Sequence, residues 1–556
     1  MNEISGAVKK AVTALFGVEI EPTINVPEAE FGDYATNAAL VLSKQLGQNP
    51  REVAQQIADK ISTENPNLST SIAGPGFINF KLADGEIIKS LNRAQLAKTD
   101  LYQNKVVVAE FSDPNPFKVL HIGHLYTSIV GDAISRLIET AGGTVHRVNF
   151  GGDVGLHAAK TIWAVLRALG GENPEKLADI KENQRVDWLS KLYVEANRAY
   201  SDDDEARLEI VALNKRLYEI TDSQDKKSNL AQIFWQTRQW SYDYFDQFYQ
   251  QIGIKFEKYY PESEVSKLGL KAVQDHPEIY TKSNGAVVFE GEPYGLHTRV
   301  FVSSEGLPTY EAKDMGCTLQ KYADYHFDEQ IIITANDIVE YMKVVLKSLE
   351  QFAPAPARAT KHFTHGMVKL PGGVKQSSRL GNSIKAVEVL ELVAENQAAA
   401  QGNRDWATIL GAVKYALLKN RLGPDVIFDP ETSVSLTGNS GPYLQYAGAR
   451  AKSILRKLPE PASEISAEER LDANERALAI KLIRYTEIVS AATAELAPHL
   501  ICSYLFELAG QFNRFYENAK VAGHPRQNFR TALVKLYVAT LDSGLNLLGI
   551  PTVEKM

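Results

Sequence analysis

The chain has 556 residues, with Lys+Arg 60 against Asp+Glu 68 and a formal net charge of −8, room for about three to five domains of ordinary size. Hydrophobic residues at 44% and charged residues at 23% exclude an extensively disordered chain, and no apolar run of about twenty residues exists to cross a bilayer. Cys317 and Cys502 are the only cysteines, which excludes a disulfide scaffold and any CxxC zinc module. The segment MNEISGAVKK lacks the apolar core of a secretory signal, so a cytoplasmic protein is expected. The acidic balance argues against indiscriminate nucleic-acid binding but leaves room for a local basic face.

In chain order, residues 3–60 read as a small helical unit. Asn49-Pro50 opens a helix through residue 61, with asparagine at the cap and proline in the first turn. FINFKL, Phe77 to Leu82, alternates like a short strand, and a polar helical connector at 84–104 marks the first boundary. KVVVAEF (105–111) reads as a buried strand. The run from His121 to Ala141 has helical apolar spacing ended by Gly142-Gly143, and a strand at 144–150 leads through the turn Gly151 to Gly155 into another helix. This alternation indicates a parallel α/β sheet. Residues 171–260 are helical and charge-rich, an insertion; strand-like text returns at 286–290, 298–303 and 329–334, so the sheet is expected to be split around the insertion. A helix follows 337. After 386 the chain reads as helical, with an exposed loop from Pro459 and Pro461 to Arg470, and positive charge gathers between Lys414 and Lys457.

The strongest chemical signal is His121-Ile122-Gly123-His124 at a strand-to-helix junction. A helix N-terminus favours phosphate, two histidines three apart lie on one side and can donate to phosphate oxygens, and Gly123 lets a ring or backbone approach closely. Neither a cysteine nor a third histidine stands near to complete a metal site. The second signal is Lys375-Gln376-Ser377-Ser378-Arg379, preceded by Pro371-Gly372-Gly373 and followed by Gly381-Asn382: cations on a glycine-flanked loop suit a polyphosphate.

Together these resemble the HIGH and KMSKS signatures of class I aminoacyl-tRNA synthetases. FGDYATNAAL (31–40) with AGPGFINF (73–80), EFSDPNPFKVLHIGHL (110–125), GLPTYEAKDMG (306–316) and GNSGPYLQYAGAR (438–450) narrow the resemblance to arginyl-tRNA synthetases. It implies a multidomain α/β protein: an N-terminal α+β tRNA-elbow-binding domain at 1–90, a Rossmann-type parallel-sheet catalytic domain at 105–385 with its helical insertion at about 171–260, and an all-α anticodon-binding bundle at 386–556. It also implies ATP-dependent ligation of L-arginine to tRNA(Arg) through arginyl-adenylate, Mg²⁺ accompanying ATP, no structural metal held by the protein, and a monomer.

Residue by residue, the resemblance implies catalytic roles for Lys118, His121, His124, Lys375 and Arg379. ATP contacts fall to His121, Gly123, His124, Lys375, Ser377 and Ser378. Arginine contacts fall to Glu110, Asp113, Asn115, Tyr310, Asp314 and Asp337, and a guanidinium with five donors does want carboxylates. Contacts to tRNA fall to Phe77, Asn79, Tyr443, Gln445, Tyr446 and Arg450. The sequence departs from the family where Ser378 replaces the loop's second lysine, Gln376 its methionine, Asp337 a glutamine, Tyr126 an arginine, and GDVGLHAAK (152–160) the more usual GDWGTQFG. In arginyl enzymes with degenerate loops a lysine upstream of HIGH compensates, and Lys118 stands there. His157 reads as local structure. The rival readings are an adenylating nucleotidyltransferase without tRNA, a synthetase for glutamate, glutamine or cysteine, and a catalytically impaired synthetase-like tRNA-binding protein. The two long flanking domains disfavour the first, and Glu110 with Asp314 disfavours an acidic substrate.

Overall fold

The computed structural model describes residues 2–28, 30–93, 99–372, 384–460 and 470–556. At the N-terminus, helices Asn2–Phe16, Ala38–Leu46 and Pro50–Glu64 cover a four-stranded antiparallel sheet, ordered Ile24–Asn25, Tyr34–Thr36, Phe77–Leu82, Leu68–Ala73. Val8, Leu42, Ile57 and Phe80 form its separate core. The Asn49 side chain caps the third helix by accepting from Arg51 N, as its Asn-Pro start foretells. Of the strands, Phe77–Leu82 is foreseen; the other three are short or lack a clean alternation.

The middle of the chain is organised on five parallel strands: β1 (Val106–Glu110), β2 (Thr144–Gly151), β3 (Lys258–Pro261), β4 (Glu329–Ala335) and β5 (Thr360–His365), in the spatial order β5-β4-β1-β2-β3. The valine run of β1 suits a strand covered on both faces. Strand order reverses at β1, so the carboxyl ends of β1 and β4 border the crevice where open α/β sheets bind ligands. Between β1 and β2 runs α1 (Ile122–Thr140), and the insertion helices extend to Gln251, including α2 (Arg185–Asp202). β3, within the stretch read as insertion, belongs to the sheet.

One expectation is corrected. Thr281–Ser283, Ala286–Phe289 and Arg299–Val302 form their own antiparallel sheet rather than rejoining the parallel one. The first two strands are joined by Asn284-Gly285, both at positive φ (49° and 81°), a tight hairpin that cannot make a parallel crossover. The chain then enters α3 (Tyr310–Tyr325) and returns to the parallel sheet at β4.

From Ala386 onward the described chain is helical apart from a two-residue strand, Val426–Ile427, and includes α4 (Gly441–Leu455). α1 lies between the sheet and this bundle, and one apolar core runs through all three, from Val107 and Leu125 to Val413, Leu505 and Leu545. Contact is closest at Gly131, where a Cβ would stand 2.1 Å from the Phe111 ring. The N-terminal domain docks on the bundle through Arg476, which donates to Asp33 Oδ2 at 2.7 Å, Asp84 Oδ1 at 2.5 Å and the Leu82 carbonyl at 3.0 Å. Of the loop expected from Pro459 to Arg470, residues 461–469 lie outside the described residues.

Candidate active site

The turn leaving β1 is held in an unusual backbone. Ser112, Asp113 and Phe117 have φ of 75°, 47° and 71°, left-handed values that cost non-glycine residues about 1–3 kcal/mol each. Neighbouring elements fix them: Asp113 Oδ1 accepts from Phe150 N and Asn115 Oδ1 from Gly152 N, each at 2.8 Å. Ser241 Oγ accepts from Phe117 N at 2.9 Å, and the Ser112 hydroxyl meets that of Tyr249 at 2.7 Å. Strain held by so many partners presents the following signature at the crevice.

There His121 is the N-cap of α1. Its Nδ1 accepts from Gly123 N at 3.1 Å, while His124 Nδ1 accepts from His121 N at 3.1 Å; the two rings stack with centroids 3.8 Å apart. With both Nδ1 atoms acting as acceptors, each ring carries its proton on Nε2, the atom left to donate. Burial, reinforced by the charge of Lys118, lowers His121 to about pKa 4 and pushes His124 well below the usual range, so both are neutral donors. A Cβ on Gly123 would lie 2.9 Å from His121 Cε1. The glycine therefore makes room for the signature's own first ring.

A cavity of about 320 Å³ opens beside this turn, walled by Lys118, His121 and His124 on one side and by Tyr193 and Val194 of α2 on the other. Lys118 Nζ sits 4.1 Å from the centre of the Tyr193 ring, a cation–π arrangement. Lys385 reaches the same cavity. Its backbone bridges to His121, with Ile122 N donating to Ile384 O at 3.0 Å and Ala386 N to Leu120 O at 2.8 Å. Lys375, Ser377, Ser378 and Arg379 lie outside the described residues.

The acids cluster at the carboxyl end of β1. Glu110 is buried, and its Oε2 pairs with Lys321 Nζ. Tyr310 and Asp314 start α3 one turn apart, Tyr310 exposed and Asp314 accepting from the Tyr341 hydroxyl. Burial raises Asp314 to about pKa 7, with Glu110 and Glu262 adding to the rise against the Tyr341 hydrogen bond. Asp113 is likewise raised, first by burial and then by Glu110. Asn115 faces both the cavity and the backbone of Gly152. Asp337 is exposed in the turn after β4, on the side of His365.

Within GDVGLHAAK, Asp153 is fully buried. It accepts from Ser263 N at 2.9 Å and Ser263 Oγ at 2.6 Å and pairs with Arg238 at 2.9 Å, fastening the turn to the insertion. His157 hydrogen-bonds the Gly152 carbonyl, and burial lowers it to about pKa 3, in keeping with a local structural part. Tyr126 packs its buried ring against His365 at 4.7 Å, away from the cavity.

The candidate RNA contacts separate by accessibility. Phe77 is exposed, whereas Asn79, on the same face two residues along, is buried. Tyr446 is exposed, and Arg450 lies 4.3 Å from the centre of the exposed Tyr516 ring. Tyr443 accepts from Asn513 Nδ2 at 3.0 Å. Gln445 is 1% exposed, and its Nε2 donates to the carbonyls of Ala407 (3.0 Å) and Pro551 (2.7 Å) inside the bundle. Sequence reading missed Lys321, Tyr341, Tyr516 and Lys385. The first three find their site partners across long sequence separations. Lys385 had a signal, its place just beyond the loop.

Comparison with known proteins gives one answer along the chain. The family model described as tRNA synthetases class I (R), catalytic domain, matches residues 86–429; those described as Arginyl tRNA synthetase N terminal domain and DALR anticodon binding domain match 2–82 and 444–556. An arginine–tRNA ligase of Mannheimia succiniciproducens is 30% identical over all of this chain and 99% of that protein, and one of Porphyromonas gingivalis is 27% identical over the whole of both. The arginyl-tRNA synthetase structure of Thermus thermophilus covers both chains fully at a TM-score of 0.79 and 25% identity.

Proposed function

Because the chain belongs to the arginyl-tRNA synthetase family, we propose that its cavity and acid cluster carry out the two steps of tRNA charging. The protein ligates L-arginine to tRNA with ATP. In the first step the arginine carboxylate attacks the α-phosphorus and pyrophosphate leaves; in the second, the terminal ribose hydroxyl of the tRNA attacks the activated carbonyl and AMP leaves. Neither step needs a nucleophile from the enzyme, so position and charge stabilisation are the protein's share.

The observation that carries the site reading is the pair of neutral, Nε2-protonated histidines facing the cavity beside Lys118. They donate to phosphate without adding charge, and Lys118 supplies the positive charge, joined by Lys375 and Arg379 of the signature loop, whose Ser377 and Ser378 offer neutral hydroxyl donors. Gly123 keeps His121 folded into place. The arginine side chain extends toward Asp314 and Tyr310, with Glu110 held as a second carboxylate by Lys321, Asn115 toward its amino and carboxylate ends, and Asp113 shaping that turn. Asp337 borders the pocket. Phe77 and Asn79 serve the tRNA elbow from the N-terminal domain (1–90); Tyr443, Tyr446 and Arg450 serve the anticodon from the bundle (386–556), with catalysis in 105–385. Mg²⁺ accompanies ATP as a phosphate counter-ion, and the chain acts as a cytoplasmic monomer.

The test is ATP–pyrophosphate exchange with arginine. Exchange near background until tRNA is added is the expected result. Robust exchange without tRNA would remove the dependence on tRNA from this account, and none under either condition would remove the site assignment.

A further inference from the structure

Of the cavity's two cations that no signature accounts for, Lys191 and Lys385, it is Lys385 whose backbone is tied to the signature turn. It caps the helix Ala386–Gln401, and the hydrogen bonds on either side of it stitch its backbone to Leu120 and Ile122, so the lysine is placed by the signature turn itself. Its Nζ contacts Asp187 Oδ1 of α2 at 2.7 Å, with Glu388 Oε1 farther off at 3.9 Å. The two side chains are 34% and 62% exposed, and an ion pair so exposed contributes little and exchanges readily. Among the described residues around the cavity stand Lys118, Lys191 and Lys385 against one acid, Asp187, a balance that suits a polyanion. A polyphosphate carries several charges and offers charge-assisted hydrogen bonds that one exposed carboxylate cannot match.

We propose that Lys385 is a further phosphate-binding residue of the ATP site, held in reach by Asp187 of the insertion until the nucleotide's polyphosphate displaces that carboxylate. It would then share the charge that Ser378, in the position of the family's second lysine, cannot carry. The proposal rests on the ATP-site reading above.

The experiment uses the full chain with tRNA and compares Lys385→Met, Lys385→Arg, Asp187→Asn, the Lys385→Met/Asp187→Asn double variant and His124→Asn in pyrophosphate exchange, with adenosine as a competitive inhibitor. Lys385→Met is expected to raise the KM for ATP about tenfold or more, the scale of one charge-assisted hydrogen bond. The adenosine inhibition constant and the KM for arginine should stay put, and Lys385→Arg should recover most of the loss. Asp187→Asn should lower the KM for ATP by about two- to fivefold. A pair that serves only as a strut between insertion and signature predicts otherwise: equal losses from Lys385→Met and Asp187→Asn and no further loss in the double variant. That pattern would overturn the proposal, as would an unchanged KM for ATP in Lys385→Met while His124→Asn loses exchange. If His124→Asn also leaves exchange intact, the ATP-site reading itself falls.

Discussion

On the proposed reading, substrate choice turns on Asp314, because Lys321 already pairs with Glu110. In the free protein burial holds Asp314 near pKa 7, so it is protonated below that pH, whereas a guanidinium needs the carboxylate. If arginine pairs with Asp314 as proposed, its binding should release a proton at acid pH. The KM for arginine should rise about tenfold per pH unit well below 7 and level off above it. Asp314→Asn should abolish this slope and raise the KM for arginine about ten- to a hundredfold, with ATP nearly unaffected; a steady-state pH profile from 6 to 8.5 reads both, and equal losses for the two ligands would place Asp314 outside the pocket. The signature histidines allow a finer separation. An asparagine amide matches the Nδ1 position and a glutamine amide the Nε2 position. His124→Asn should keep the cap to His121 N and lose exchange activity, whereas His124→Gln should keep more activity at some cost in stability; thermal unfolding and exchange rates run side by side would show the reverse order if the cap were what mattered. The histidines stood out in the sequence by residue type and spacing, whereas Asp314 was singled out only by its place in a block that resembles the family. Lys321 and Tyr341 were not, since their partners lie 211 and 27 residues away and only the fold joins them.

The element that transmits most of this order is α1. It begins at the signature and passes Gly131 against Phe111 before ending inside the shared core. Gly131→Ala has no room: its Cβ would meet an aromatic ring rather than a flexible chain end, and overpacking of this kind costs about 1–3 kcal/mol. A fall of that size in stability from denaturant titration is expected, with exchange reduced because the signature shifts with its helix; an unchanged midpoint would mean that α1 and β1 are less tightly joined than the distance implies. Helices such as α1, and the strand β1, were readable from apolar spacing and β-branched runs. Two strands of the antiparallel sheet, at 286–290 and 298–303, were read as strands but assigned to the wrong sheet, because alternation identifies a strand and not its partners; Thr281–Ser283 was not read. The Asn284-Gly285 turn was the local sign that this sheet pairs with itself. The edge strand β3 was missed for a related reason: KYYP follows helical text and presents few residues to pattern.

At the scale of the whole molecule, three domains share the work because the substrates differ so much in size. A core common to sheet, α1 and bundle joins the catalytic crevice to the helices that carry Tyr446 and Arg450. Arg476 ties the N-terminal domain to the same bundle through Asp33 and Asp84. Four ordered sequence blocks predicted this three-part plan. They could not show that Gln445, within one of those blocks, is buried with its Nε2 on the Ala407 and Pro551 carbonyls. The most direct measurement is aminoacylation of total tRNA with labelled arginine, run beside labelled glutamate, glutamine and cysteine. ATP-dependent charging with arginine alone is the predicted result. Charging with another of these amino acids, or with none by folded protein that still binds tRNA, would contradict the account.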